Sequence, residues 1–186
     1  MKISRAFFQK PTVEVAKNML GKFIAREWRG KKIKAVITET EAYVGQNDLA
    51  CHASRGRTKR SEVLFWEAGY AYVYLIYGMH YCFNVVTEKE GYPAAVLIRG
   101  VLMPDGREIK GPGRVCKTLY IYKKFHGRDL IGNKELWFEN NPRFKNHGVS
   151  EFKSLKVQNG PRIGVEYAGK WAKKPWRFWI ERNLLK

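Results

Sequence analysis

The chain has 186 residues, 45% of them hydrophobic, which suits one compact domain whose core needs neither a metal nor a disulfide to fold. It has no run of about 20 apolar residues and no signal-peptide core, so a cytoplasmic protein is expected rather than a membrane-spanning or exported one. Lys and Arg total 35 against 17 Asp plus Glu, a formal charge of +18, which points to a polyanionic partner, nucleic acid ahead of an anionic membrane surface.

Residues 11–20 read as the first helix: Pro11 suits a first turn, Val15, Ala16, Met19 and Leu20 recur at helical spacing, and Gly21 supplies the stop. Residues 22–26 and 34–43 read as strands joined by a turn at Arg29-Gly30-Lys31, and the polar, basic stretch 46–60 as a loop. Residues 71–87, rich in Tyr, Val, Ile and Phe, form the strongest β signal, a long hairpin with its tip at Gly78. A strand is predicted at 94–101, a helix at 114–124 after Gly111-Pro112-Gly113, and strands at 136–139, 163–167 and 177–180. With no repeat, low-complexity tract or linker, residues 1–186 are expected to form a single α+β domain, mostly antiparallel strands with peripheral helices. Cys51, Cys82 and Cys116 form no CxxC pair and no ligand spacing with the four histidines, so reduced thiols are expected, with no metal and no cofactor.

Strand periodicity puts Glu39, Glu41 and Tyr43 on one face of the second strand. A solvated stripe would explain an isolated Glu, but these two stand near a tyrosine-rich hairpin. Tyr72 and Tyr74 share one face of it, and Tyr77, Gly78 and Met79 form a tip where an aromatic would be exposed. On a strongly cationic chain, such a side chain can wedge between base pairs. The residues taken alone describe a basic nucleic-acid binder with stacking aromatics and a candidate buried carboxylate. They name no reaction.

The run 39–45, Glu-Thr-Glu-Ala-Tyr-Val-Gly, followed by His52, the hairpin segment 72–79 and Asn84, resembles the alkyladenine (methylpurine) DNA glycosylase family. Further matches in the same order are residues 96–99, Gly111-Pro112 with Cys116, residues 128–130, 162–165 and 168–175, so the resemblance covers nearly the whole chain. It implies a curved, open-barrel-like antiparallel sheet with a protruding hairpin. It also implies a monomeric DNA-repair enzyme acting on double-stranded DNA that contains damaged purines. By this resemblance Glu41 activates the hydrolytic water, Arg99 helps hold it, and a main-chain carbonyl within 162–164 assists. Tyr43, His52 and Tyr74 would stack the extruded base, Asn84 would disfavour guanine, and Tyr77, with Met79 beside it, would fill the gap in the duplex. His80 departs from the tyrosine of vertebrate relatives, and residues 141–156 have no counterpart and no assigned role.

An N-alkylated purine is cationic, so an electron-rich pocket of Tyr43, Tyr74 and neutral His52 would favour it by about 0.5–2 kcal/mol per contact. It is also a good leaving group, which leaves Glu41 to orient and deprotonate water and to offset charge on the sugar. No lysine is among the site residues that the resemblance assigns, so a monofunctional enzyme without a Schiff base is expected. DNA grip is expected from Arg55, Arg57, Lys59 and Arg60, with Lys173, Lys174 and the helix start at Gly111-Pro112-Gly113 as weaker candidates. The rival from another class is a non-catalytic RNA- or single-strand-binding module, which explains charge and tyrosines but gives Glu41 no purpose. A glycosidase using Glu39 and Glu41 gains nothing from the charge, and carboxylates two residues apart on a strand do not flank a sugar from opposite sides.

Overall fold

In the computed structural model, residues 1–143 and 156–180 are described. Helix α1 (Arg5–Phe8) leads into α2 (Thr12–Met19), which buries Val15, Ala16 and Met19 and ends before Gly21, whose φ of 80° suits only glycine well. Strands β1 (Phe23–Trp28) and β2 (Lys31–Val44) follow as a hairpin. Arg29 and Gly30 both take positive φ, and the Trp28–Lys31 pair closes the two-residue turn, the geometry that matches strand twist. Both strands run longer than the sequence pattern indicates.

β2 organises the sheet. It is followed by β3 (Ala71–Ile76), β4 (His80–Val86), β5 (Ala94–Leu102) and β6 (Glu108–Lys110), then β7 (Leu136–Glu139), β8 (Val157–Gly160) and β9 (Arg177–Ile180). The order is β3-β4-β5-β2-β1-β7, with β6 paired to β5 and with β9, itself paired to β8, added to β2; every pairing is antiparallel. β1 takes residues 31–36 of one β2 edge and β9 takes residues 39–41, while β5 runs along the other edge. Register shifts on either side of Glu39 curl the sheet at this junction. The result is a single domain, mixed α/β, built on a curled antiparallel half-barrel with few helices. Helix α3 (Pro112–Thr118) and α2 cover one face over a core that includes Phe8, Ile24, Phe83, Ile98, Phe138 and Phe178. The Thr40 hydroxyl donates to the Ala16 carbonyl at 2.8 Å, so β2 turns Thr40 to the core and its neighbours Glu39 and Glu41 to the opposite face.

Three readings from the sequence need correction. The helix expected at 114–124 stops at Thr118, because Tyr120 takes a left-handed φ of 52°; only a 3₁₀ turn, Lys123–Phe125, follows. The strand expected at 163–167 is absent: Gly164 has φ 76° and Val165 has φ −124°, ψ 22°, and the chain crosses in a loop before a 3₁₀ segment, Glu166–Trp171. The strand that pairs with β9 on this side is instead β8, which the sequence pattern does not indicate. Within the loop of 46–60, and just beyond it, short 3₁₀ turns form at His52–Arg55 and Glu62–Phe65. Of the stretch 141–156, residues 144–155 lie outside the described residues. Among the described residues, no helix is long and apolar enough to cross a membrane.

Candidate active site

The face of β2 turned away from α2 holds Glu39, Glu41 and Tyr43, the three side chains expected to share one side of this strand. Glu41 is fully buried, with neighbours paired to its strand on both edges. Its Oε1 accepts the Ile163 N–H at 2.9 Å and lies 3.5 Å from Arg99 Nε; its Oε2 accepts the Tyr43 hydroxyl at 2.8 Å. Burial pushes its pKa above the ordinary carboxylate value, outweighing Arg99, the Ile163 N–H and the Tyr43 hydroxyl, which favour the anion; repulsion from Glu39 is the smallest influence. Arg99 Nε donates to Glu39 at 3.1 Å, and Arg177 reaches the same Glu39 oxygen at 3.2 Å. The segment 162–164 meets Glu41 through a main-chain N–H, where the family resemblance directs attention to a carbonyl.

Beside this carboxylate lies a cavity of about 220 Å³ lined by Tyr43, His52, Tyr74, Asn84 and Arg99, with Ile163 to Val165 and Tyr167 on the other side. Its volume falls below the roughly 300–1,000 Å³ of pockets for larger ligands, a space for one flat heterocycle. His52 and Tyr74 meet edge to face, ring centroids 4.6 Å apart, and His52 Nδ1 is 2.8 Å from the Tyr72 hydroxyl. Burial, with help from Arg60 and Arg55, lowers the His52 pKa to about 4, so the imidazole is neutral at physiological pH. Asn84, opposite Tyr72 in the hairpin register, donates from Nδ2 to the Tyr72 carbonyl at 3.1 Å, which fixes its amide at the cavity wall.

Sequence reasoning missed the brace behind this wall. Arg162 and Asp48 are both fully buried and joined by two contacts of 2.5 and 2.8 Å. Arg162 also donates to the carbonyls of Ala42 and Trp171, and its guanidinium carbon lies 4.8 Å from the Tyr43 ring centroid. Asp48 in turn accepts the N–H groups of Val44 and Ala50, so one ion pair ties the end of β2, the following turn and the 162–164 segment together. Their separation of 114 residues leaves no local signal, and among 35 basic residues Arg162 looks like any other.

At the rim, Tyr77 and Met79 cap the β3–β4 hairpin, 85% and 70% exposed. Tyr77 and Gly78 both have positive φ, and the Met79 N–H closes the turn on the Ile76 carbonyl at 3.2 Å. Tyr77 also lines the cavity mouth. The exposed His80 packs on Gly113 of α3, where a Cβ would lie 3.1 Å from that of His80. Arg55, Arg57, Lys59 and Arg60 are all exposed, but Arg57 is held by Glu62 through bonds of 3.0 and 2.7 Å. Lys173 and Lys174 are exposed near Trp171 and Trp176, with Lys174 Nζ 5.7 and 5.8 Å from their rings. Cys51 and Cys82 border the cavity as free thiols, and burial raises their pKa values to about 12 and about 11.

A family model described as methylpurine-DNA glycosylase matches residues 6–184. Proteins named "Putative 3-methyladenine DNA glycosylase" are similar over nearly full length. That of Methanocella arvoryzae is 44% identical over 97% of this chain and 93% of its own. The Myxococcus xanthus protein is 43% identical over 96% and 89%, and the Legionella pneumophila (strain Lens) protein 45% identical over 98% and 96%. A non-catalytic binding module is thereby set aside. The chain belongs to the methylpurine-DNA glycosylase family, enzymes of base excision repair that hydrolyse the N-glycosidic bond of damaged purines in DNA.

Proposed function

We propose that the protein, as a monomer in the cytoplasm, extrudes 3-methyladenine and related alkylated purines from double-stranded DNA and hydrolyses them with a water activated by Glu41, leaving an intact abasic site. The observation that carries this reading is the buried Glu41 carboxylate set directly behind an aromatic cavity large enough for one base. Each carboxylate oxygen accepts one described hydrogen bond and retains a lone pair for another donor. In the reaction the water oxygen bonds to C1′ as the C1′–N bond breaks. The electron pair of that bond moves onto the purine, neutralising a cationic lesion, and the water proton passes to Glu41. Arg99 favours the anionic carboxylate against the opposing effect of burial and helps to orient it. Tyr43, Tyr74 and the neutral His52 offer π faces to the base, and neutral deaminated or etheno purines fit the same slot. Tyr77 and Met79 stand where they can fill the duplex, and the exposed Arg55, Lys59 and Arg60 can hold phosphates, with Arg57 contributing less because Glu62 already pairs it.

The test is release of free base from methylated duplex DNA, followed by chromatography under single-turnover conditions. Glu41→Gln is expected to slow release by about 10²–10⁴-fold. Unchanged release would remove Glu41 from the chemistry, and borohydride trapping of a protein–DNA adduct would overturn the monofunctional reading.

A further inference from the structure

The base cavity shares a wall with a second concavity. His52, Cys51 and Tyr167 border both, and the second, about 690 Å³, is also lined by Ser54, Arg55, Thr58 and Arg60. Arg60 lies on this outer side. Its guanidinium carbon is 5.3 Å from the centroid of Tyr74, the ring that packs edge-on against His52 inside the pocket. Arg60 is also the charge that most offsets burial in setting the Tyr72 pKa, and one of two arginines that add to burial in keeping His52 neutral, so its field reaches both neighbours of Tyr74 in the wall. Of the other arginines around the site, Arg99 and Arg177 are compensated by Glu39, Arg162 by Asp48 and Arg57 by Glu62, whereas Arg55, like Arg60, has no carboxylate partner among the described residues. Of these two, Arg60 is the one that lies against an aromatic ring.

We propose that Arg60 determines specificity by charge: set against the back of the aromatic wall, it weakens the attraction of that wall for cationic purines and so lets neutral damaged purines compete for the pocket. This rests on the glycosylase reading of the cavity. A cationic base gains from Tyr74 and His52 only what their π electrons have left to give, and a guanidinium on the outer side draws on the same electrons and repels the base directly. A neutral base meets neither penalty. A phosphate contact, by contrast, would serve every lesion alike, because backbone contacts carry no information about the base.

The experiment compares single-turnover release of cationic 3-methyladenine and neutral ethenoadenine from duplex DNA by the wild-type protein and three variants. Arg60→Gln is expected to raise the 3-methyladenine to ethenoadenine ratio about fivefold, the scale of one partly screened charge. Arg60→Lys, which keeps the charge, should stay within about twofold of wild type on the same scale. Arg55→Gln, in the same concavity but with no cation–π contact to a ring among the described residues, should slow both releases together. A ratio unmoved by Arg60→Gln, or moved equally by Arg60→Lys, overturns the proposal and leaves Arg60 a phosphate contact. The wild-type protein separates the two readings: release of neither base counts against the glycosylase assignment of this cavity, whereas release with an unmoved ratio counts only against Arg60.

Discussion

The wall around Glu41 and the tip at Tyr77 belong to one site and are built on opposite principles. Glu41 sits mid-strand, fully buried, between two paired strands, with both carboxylate oxygens engaged. Tyr77 is 85% exposed, and its φ of 51° is a left-handed conformation that an aromatic residue adopts at a cost of about 1 kcal/mol or more. A group that must meet a water and a sugar carbon within tenths of an ångström has to be held by many contacts. A group that must enter a DNA stack has to be presented with few. The site therefore combines a rigid floor with a prow whose strain is sustained by the turn that closes at Met79. Separating the two regions experimentally tests that division.

The largest effect is expected at the brace behind the floor. Asp48→Ala leaves the Arg162 guanidinium buried without its partner, and such losses destabilise by about 3–5 kcal/mol. Urea unfolding should show that loss, and the double variant Asp48→Leu/Arg162→Met should recover much of it, because no unpaired charge remains. A second probe of the floor is acid. The folded-state pKa of His52 is about 4, below its ordinary 6.5, so the unfolded chain binds the proton more readily. The stability from keeping His52 neutral is therefore complete above about pH 6.5 and is lost as pH falls toward about 4, up to about 3 kcal/mol. Comparing unfolding of the wild type and His52→Gln across that window should show the wild type losing the advantage. Parallel curves would mean that the imidazole takes up its proton without disturbing the wall.

What the sequence made legible follows the same division. Alternation on β2 and the Tyr-rich hairpin have short-range signatures, so Glu41, Tyr43, Tyr74 and the Gly78 tip are readable from neighbours two to four residues away. Arg29-Gly30 announced its turn for the same reason. The bulges flanking Glu39, the short strands β6 and β8, and the Asp48–Arg162 pair depend on partners far along the chain and left no local trace. The apolar run Ile163-Gly164-Val165 misled: its composition suits a strand, but its work is to carry an N–H to Glu41, which required the left-handed turn at Gly164. Charge was legible only in total. Which of the arginines in the 55–60 loop is free and which is held by Glu62 emerges once Glu62 turns back on Arg57.

The smallest expected effect is the one most specific to the tip. Tyr77→Ala removes a side chain that makes little contact with the fold, so thermal stability should stay within about 0.5 kcal/mol of wild type. Stacking of a base on an aromatic side chain contributes about 1–3 kcal/mol, and filling the gap in a duplex recovers part of what extrusion loses. Release from a duplex should therefore slow about tenfold, the lower half of that range. The same lesion in a single strand, where no gap opens, should be released at nearly the wild-type rate. An equal slowing on both substrates would place Tyr77 in the pocket itself, whose mouth it also lines, and the division between fixed floor and exposed wedge would fail at the residue that defines it.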